Sequence, residues 1–445
     1  MKRQKNPKEP EILRDTSHLT GGQKKLGITA ICAIGLLLGA ISGAVVWIIL
    51  RIMSLGIDAL WVWLPRFFGL GDSLLYHLAV CVIGGVLIGL VRRRWGPLPD
   101  EMEQVLGRIK FKGSYPYDRL PLLAVAALLP LIFGASLGPE AGLTGIAAGL
   151  CCWVGDQLKC RGDQLAALTE TGLAAALGVI FHAPLFGIAE NLEPDPGDGS
   201  DHYRTRLVRK KTRIIIYCFG VAGAMLAFTL LGRLFGAGSG LPRFAFVHDI
   251  GLSQWKWFIP LQAIGIVFSL YYDLMNRITQ KLGQRLMPFP MISCQIPAIL
   301  MAVCGFFIPT VMFSGEHQLS ELVTQWQSCA VPNLVLTAVF KLFLICVCIN
   351  FGWRGGSIFP LIYSGACIGY AFALITGMDG AFAAAVVIAS LYGYHMRKPV
   401  AVIAVLLLCF PVSYILPIGV AAFAVSKIPS PFAPYRGEKP LKKSE

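Results

Sequence analysis

The sequence predicts an all-α, polytopic membrane protein built from two halves that echo each other, and three observations lead there. Hydrophobic residues fill 55% of the 445 positions and charged residues only 14%, with a mean hydropathy of +0.65. A soluble domain carries about 25% charged residues, so composition alone points to the bilayer. The second observation is the uneven placement of Lys and Arg among the polar stretches. The third is a pair of glycine turns at corresponding places in an otherwise apolar chain.

Taken in order, residues 1–25 form a polar, basic tail holding Lys2, Arg3, Lys5, Lys8, Arg14, Lys24 and Lys25. The apolar run from 26 to about 50 is long enough to span a membrane and too long for the core of a signal peptide. A first half is expected over 26–212, with apolar segments at 26–53, 74–91, 119–135, 141–155 and 164–192. A second half, 213–426, carries segments at 213–235, 254–275, 288–309, 332–350, 358–376, 380–393 and 399–426. Residues 427–445 then form a short tail. Several segments are too short to span or are broken, with breaks expected at Ala183-Pro184, Pro297, Pro411 and Pro417. Short, interrupted helices in two corresponding sets are the mark of inverted-repeat transporters, whose binding sites lie near the midplane.

A net charge of +14 could suggest nucleic acid, but its distribution argues for topology. Basic residues collect in the N-terminal tail, from Arg92 to Arg119, from Arg204 to Arg213, from Arg277 to Arg285 and after Lys427. Loops near 54–73, 236–252 and 314–331 hold few. This alternation places both termini in the cytoplasm of a multi-pass protein in the cell membrane. The thirteen cysteines lie mostly within apolar runs, without CxxC or paired-His spacing, and read as small buried hydrophobes rather than a metal site.

The chemistry concentrates in residues 133–150, FGASLGPEAGLTGIAAGL. Glu140 is the one carboxylate there, preceded by Gly134, Gly138 and Pro139 and followed by a helix-compatible apolar run. A glycine turn opening a helix leaves backbone N–H groups directed at a point where an anion can sit. Glu140 can occupy that seat when charged and leave it when protonated, and an ionisable residue in the membrane is costly enough to imply function. The stretch FGWRGGSIFPLIYSGACIG at 351–369 repeats the pattern. Two such turns meeting near the midplane would aim two helix N-termini, each worth about half a positive charge, at one small anion.

These residues resemble the CLC family of chloride channels and proton-coupled anion exchangers, in a divergent bacterial-type form, over about 26–432. Gly138-Pro139-Glu140-Ala141-Gly142 takes the place of the family's Gly-Arg-Glu-Gly-Pro gating motif. Gly356-Ser357-Ile358-Phe359-Pro360 takes that of Gly-x-Phe-x-Pro, and Ala183-Pro184-Leu185-Phe186-Gly187 that of Ala-Pro-Leu-x-Gly. The resemblance implies an all-α inverted-topology repeat with many tilted and broken helices, and a homodimer with one anion pathway per protomer. Glu140 would gate, and Gly138 and the amides of Ile358 and Phe359 would help bind the anion.

The chain departs from the family pattern at three places. Trp95-Gly96-Pro97-Leu98-Pro99 stands for Gly-Ser-Gly-Ile-Pro, so Gly96, Pro97 and Leu98 offer backbone groups where the family has a serine hydroxyl. Phe432 takes the place of the inner tyrosine. The exchangers' proton-transfer glutamate falls on Pro194, which leaves Glu190 and Glu193, one helical turn apart, as proton-path candidates or as a solvated helix end. Lys341, a second charge inside an apolar segment, either pairs structurally, with Glu170 for example, or adds positive potential to the anion path. His182 reads as a packing residue.

The expected function is therefore transport of small inorganic anions, chloride first, with the lipid bilayer as surroundings. No enzyme activity, cofactor, metal or nucleic-acid partner is expected. A proton-coupled antiporter for chloride, nitrate or fluoride is the alternative within the fold. A cation-coupled organic solute carrier is the alternative outside it.

Overall fold

In lipid, a backbone must satisfy its own polar groups, which an apolar segment does by coiling into a helix. The computed structural model describes residues 28–69, 73–112, 114–158, 163–193, 210–236, 244 and 251–431, and the regular elements among them are all helices, with no β-strand. The first helices are α1 (Ile28–Asp58), α2 (Leu64–Phe68), α3 (Leu74–Trp95), α4 (Met102–Lys112), α5 (Leu120–Ile132) and α6 (Glu140–Gln157). There follow α7 (Asp163–Ile180), α8 (Pro184–Leu192), α9 (Lys210–Phe235), the single turn α10 (Leu252–Trp255), α11 (Phe258–Leu286) and α12 (Pro290–Phe307). The chain continues as α13 (Glu316–Gln325), α14 (Val331–Phe351), α15 (Ile358–Thr376), α16 (Gly380–Met396), α17 (Pro399–Cys409) and α18 (Ile415–Ser426). Seven of the described helical stretches are long and apolar enough to cross a membrane, while α5, α7, α16, α17 and α18 are shorter apolar helices.

The two halves follow one plan around the broken helices. In each, a helix ends at a glycine turn and a second helix starts in the interior: α5 leads through Gly134 (φ 90°) to α6, and α14 through Gly352 (φ 105°) to α15. The short helices α8 and α17 also correspond. Each opens with proline at its first position, two residues after a left-handed turn at His182 (φ 53°) or Arg397 (φ 53°), and the two pack against each other.

Helices α1 and α9 cross closely because small residues line their contact. A Cβ added to Gly39 would stand 1.8 Å from the Gly220 carbonyl oxygen, and one added to Gly223 2.1 Å from that of Leu36. Such contacts let membrane helices gain dispersion energy that larger side chains would block. The boundary expected at 212 falls inside α9, a helix that packs on α1, α7 and α8 of the first half.

Two expected breaks are not breaks. Pro297 lies within the continuous helix α12, and Pro417 lies in the first turn of α18. Proline is tolerated inside a membrane helix where the surrounding protein satisfies the carbonyl it frees, and its missing N–H costs nothing in a first turn. Pro411 does divide α17 from α18, and the turn before Pro184 divides α7 from α8.

Candidate functional site

The turns before α6 and α15 meet in the interior. Gly138 donates its N–H to the carbonyl of Gly356 at 2.7 Å, and Gly356 donates to the carbonyl of Gly138 at the same distance. That pairing sets the starts of the two helices side by side. Glu140, the first residue of α6, is 1% exposed. Its Oε1 accepts the backbone N–H of Ile358, the first residue of α15, at 2.7 Å.

The carboxylate fits a cradle that only glycine leaves open. A Cβ on Gly138 would stand 1.9 Å from Oε2, and a Cβ on Gly356 1.8 Å from Cδ. Oε2 itself is buried with no hydrogen-bond partner among the described residues. Glu140 thus makes the bond that a small anion would make at a helix N-terminus, where free N–H groups and the helix dipole both favour negative charge. Phe359 is fixed from behind, its ring stacked on Phe181 at 4.8 Å between centroids, so the amides at the start of α15 are held in place by packing.

A cavity of about 110 Å³ opens on one side of Glu140. The start of α4 supplies Glu101, Met102 and Glu103 to its wall, the second glycine turn supplies Gly355 to Ile358, and α16 supplies Tyr392, His395 and Met396. At the base of α4, Asp100 is clamped by Arg108 at 2.8 Å and by the hydroxyl of Tyr115 at 3.0 Å. Burial first, and then the charge of Asp100, hold the Tyr115 hydroxyl well above its ordinary pKa, so it stays a donor.

The expected anion-binding loop lies between α3 and α4. Gly96, Pro97 and Leu98 are not among the residues that line this cavity; Met102 is. The loop is tied instead to the second half, where Arg354 donates to the carbonyl of Pro99 at 3.2 Å. Arg92 likewise donates to the carbonyl of Phe351 at 3.1 Å. Both arginines, and the cavity groups Tyr392 and His395, escaped sequence reasoning because a lone polar residue in a helix or turn carries no pattern. Phe432 lies outside the described residues.

The remaining candidates are engaged elsewhere. Lys341 is fully buried, and its Nζ donates to four successive backbone carbonyls, those of Thr310, Val311, Met312 and Phe313, at 3.1–3.3 Å. It also lies 4.9 Å from the centre of the Tyr363 ring and does not line the Glu140 cavity. The pairing with Glu170 is not made; Glu170 accepts from the hydroxyl of Tyr217. Glu190 forms a buried ion pair with Lys398 at 2.5 Å. Glu193 accepts the backbone N–H groups of Val400 and Ala401 at 3.3 and 3.0 Å, capping the start of α17. Both carboxylates therefore fasten α8 to α17. His182 packs its ring edge-on against Phe228 at 5.0 Å.

Comparison with known proteins gives this geometry a family. Among solved structures, a slow cyanobacterial Cl-/H+ antiporter superposes with a TM-score of 0.74 at 18% identity, over 88% of this chain and 93% of that one. A CLC-type fluoride/proton antiporter superposes with a TM-score of 0.71 at 17% identity, over 92% and 98%. Among relatives by sequence, YfeO of Shigella flexneri and YfeO of Escherichia coli K12, proteins named for ion transport, are each 25% identical over 339 residues, which is 75% of this chain and 76% of theirs. The profile of the voltage gated chloride channel family matches residues 84–429, which takes in both glycine turns, Glu140 and all the helices that form the cavity. The chain belongs to that family.

Proposed function

We propose that this chain carries small inorganic anions, chloride first, across the cell membrane, with Glu140 as a displaceable occupant of the anion's seat. The observation that carries this is the Glu140 carboxylate on the Ile358 N–H at the start of α15. Backbone donors there suit a small, desolvated anion, and the amides of Ile358 and Phe359 are the groups that would hold it; the expected part for Gly138 is not open to it, because its N–H is already given to the Gly356 carbonyl. Glu101 and Glu103 line the cavity wall, and a carboxylate there, when charged, disfavours an anion beside it, which leaves the amides as the seat. The run of basic loops supports a cytoplasmic side for this cavity and for both termini. Exposed apolar residues on α9 and α18, such as Leu226 and Leu416, suit contact with lipid or with a second copy in a homodimer.

Coupling to protons is a second reading, favoured by the cavity that brings titratable side chains to the same chamber as Glu140. The two antiporters of similar fold agree with it. A charged carboxylate competes with chloride for the N–H donors, and a protonated one competes poorly, so flux should rise as pH falls. In liposomes loaded with chloride, nitrate or fluoride, anion efflux and proton movement are recorded together. Glu140→Gln is expected to transport without pH response and without proton coupling. Wild-type pH dependence in that variant would remove Glu140 from the gate.

A further inference from the structure

The two carboxylates nearest the expected proton entry are spent on joining α8 to α17, so a coupled exchanger of this build needs another group to load Glu140. This inference rests on the proton-coupled reading above. His395 lies in the last turn of α16 and lines the cavity that holds Glu140. Its Nδ1 is 3.6 Å from Oδ1 of Asp273 on α11, within ion-pair range. Asp273 is itself held through its other oxygen by the hydroxyl of Ser430. The far nitrogen, Nε2, is buried and has no hydrogen-bond partner among the described residues.

An imidazole oriented by a carboxylate on one nitrogen presents the other as a proton acceptor and donor, the arrangement that makes His a shuttle. We propose that His395, positioned by Asp273, delivers protons to Glu140 and takes them back through this cavity. Its surroundings define the charge it works against. On α11, Tyr272 packs 4.5 Å from the ring, beside Asp273. Glu101 and Glu103 face the same chamber from α4, and Glu140 from α6. On its own helix the neighbours are Tyr392 and Tyr394, with Arg397 just beyond as a like charge. Burial of the ring and Arg397 oppose the cation, and Asp273 behind the ring favours it, so the imidazole rests neutral and takes a proton in passing.

The step balances simply. The imidazolium releases its Nε2 proton, the ring becomes neutral, and the Glu140 carboxylate becomes a carboxylic acid; no electrons change hands. The cavity has room for several waters to carry the proton between them. Protonated Glu140 then yields the Ile358 amide to an anion.

The full-length protein in liposomes tests this through the ratio of protons to anions moved, a quantity that a general loss of folded protein leaves unchanged. Wild type is expected to move protons against a chloride gradient. His395→Gln should lower the ratio about tenfold or more, and Asp273→Asn should lower it less. In His395→Ala, imidazole added on the cavity side should restore coupling, which a packing role could not do. A wild-type ratio in His395→Gln, or in Asp273→Asn if the former does not reach the membrane, overturns the proposal while leaving proton coupling intact. A wild type that moves no protons overturns the coupled reading and this proposal with it.

Discussion

Gly138 and Gly356 exchange both backbone hydrogen bonds, at 2.7 Å in each direction, though they belong to opposite halves of the chain. They hold the same place in the two echoing stretches, five residues after Phe133 and Phe351. Glu140 and Ile358, 218 residues apart, are equivalent in the same register. The carboxylate of the first half is thus received by the amide of its own counterpart. One half supplies the charge and the other the seat.

That relationship makes the second glycine a sensitive probe. A methyl on Gly356 would stand 1.8 Å from Cδ of Glu140 and 2.2 Å from Cγ, so the whole side chain must leave. Gly356→Ala is expected to raise anion efflux at neutral pH and flatten its pH response, approaching Glu140→Ala. Gly138→Ala meets chiefly the mobile carboxylate oxygen and should do less. Equal pH dependence in Gly356→Ala and wild type would show that Glu140 does not rest where the structure puts it.

Glu190 gives a prediction about stability rather than coupling. Removing one partner of a buried ion pair costs about 3–5 kcal/mol, because the other is left to pay its desolvation alone. Glu190→Gln should therefore lower the apparent Tm in detergent by several degrees. The proton-to-anion ratio of the surviving protein should stay at the wild-type value. Glu193→Ala removes a helix cap, typically worth ~1 kcal/mol, and should behave alike but more mildly. A changed ratio with an unchanged Tm would return these residues to the proton path.

Selectivity should respond at Met102 and not at Gly96. The backbone of Gly96 has φ 86° and ψ −172°, a region open to glycine and costly to serine by about 1–3 kcal/mol. Gly96→Ser is expected to weaken the protein without altering relative permeabilities among chloride, bromide and nitrate. Met102 lines the cavity, and Met102→Ser should shift those permeabilities by placing a hydroxyl there. Bi-ionic efflux measurements decide between the two positions.

Lys341 is expected to act as a clamp. Its ammonium is shared by four carbonyls of residues 310–313, and a buried acceptor stripped of its donor costs about 1–3 kcal/mol. Lys341→Met should accordingly reduce folded yield and lower the apparent Tm by about 5 °C or more. Flux per folded molecule should fall no further at low ionic strength than at high. A loss confined to low salt would be the signature of long-range attraction along an anion path instead.

What the sequence made legible and what it hid divide along a physical line. The glycine turns, Glu140 and the start at Ile358 could be read because their chemistry is local: a turn, a helix start and one carboxylate within a few residues. Their meeting was readable only through the echo between halves. Lys341 and Glu190 were visible as buried charges, but their partners lie 28–31 and 208 residues away. Whether a buried charge faces a pathway or a carbonyl is decided by packing, which leaves no periodic trace. The same holds for His395, one histidine in an apolar helix whose partner is on α11. Pro297 misled for a related reason, since a helix breaker in water is tolerated inside a packed membrane helix.

The span between Glu140 and Ile358 also bears on how the protein is made. Synthesis runs from the N-terminus, so the carboxylate leaves the ribosome 218 residues before the amide that receives it. At about 5–20 residues per second, that is an interval of roughly ten seconds or more. Throughout it, α6 has an acidic side chain at its start and no second half to shelter it. Insertion must keep that side chain neutral or in contact with water until the second turn arrives, since an ionised group in lipid is expensive. Closure of the Gly138–Gly356 pair must wait for the second turn, and the seat for the anion comes into being only when that turn has been made.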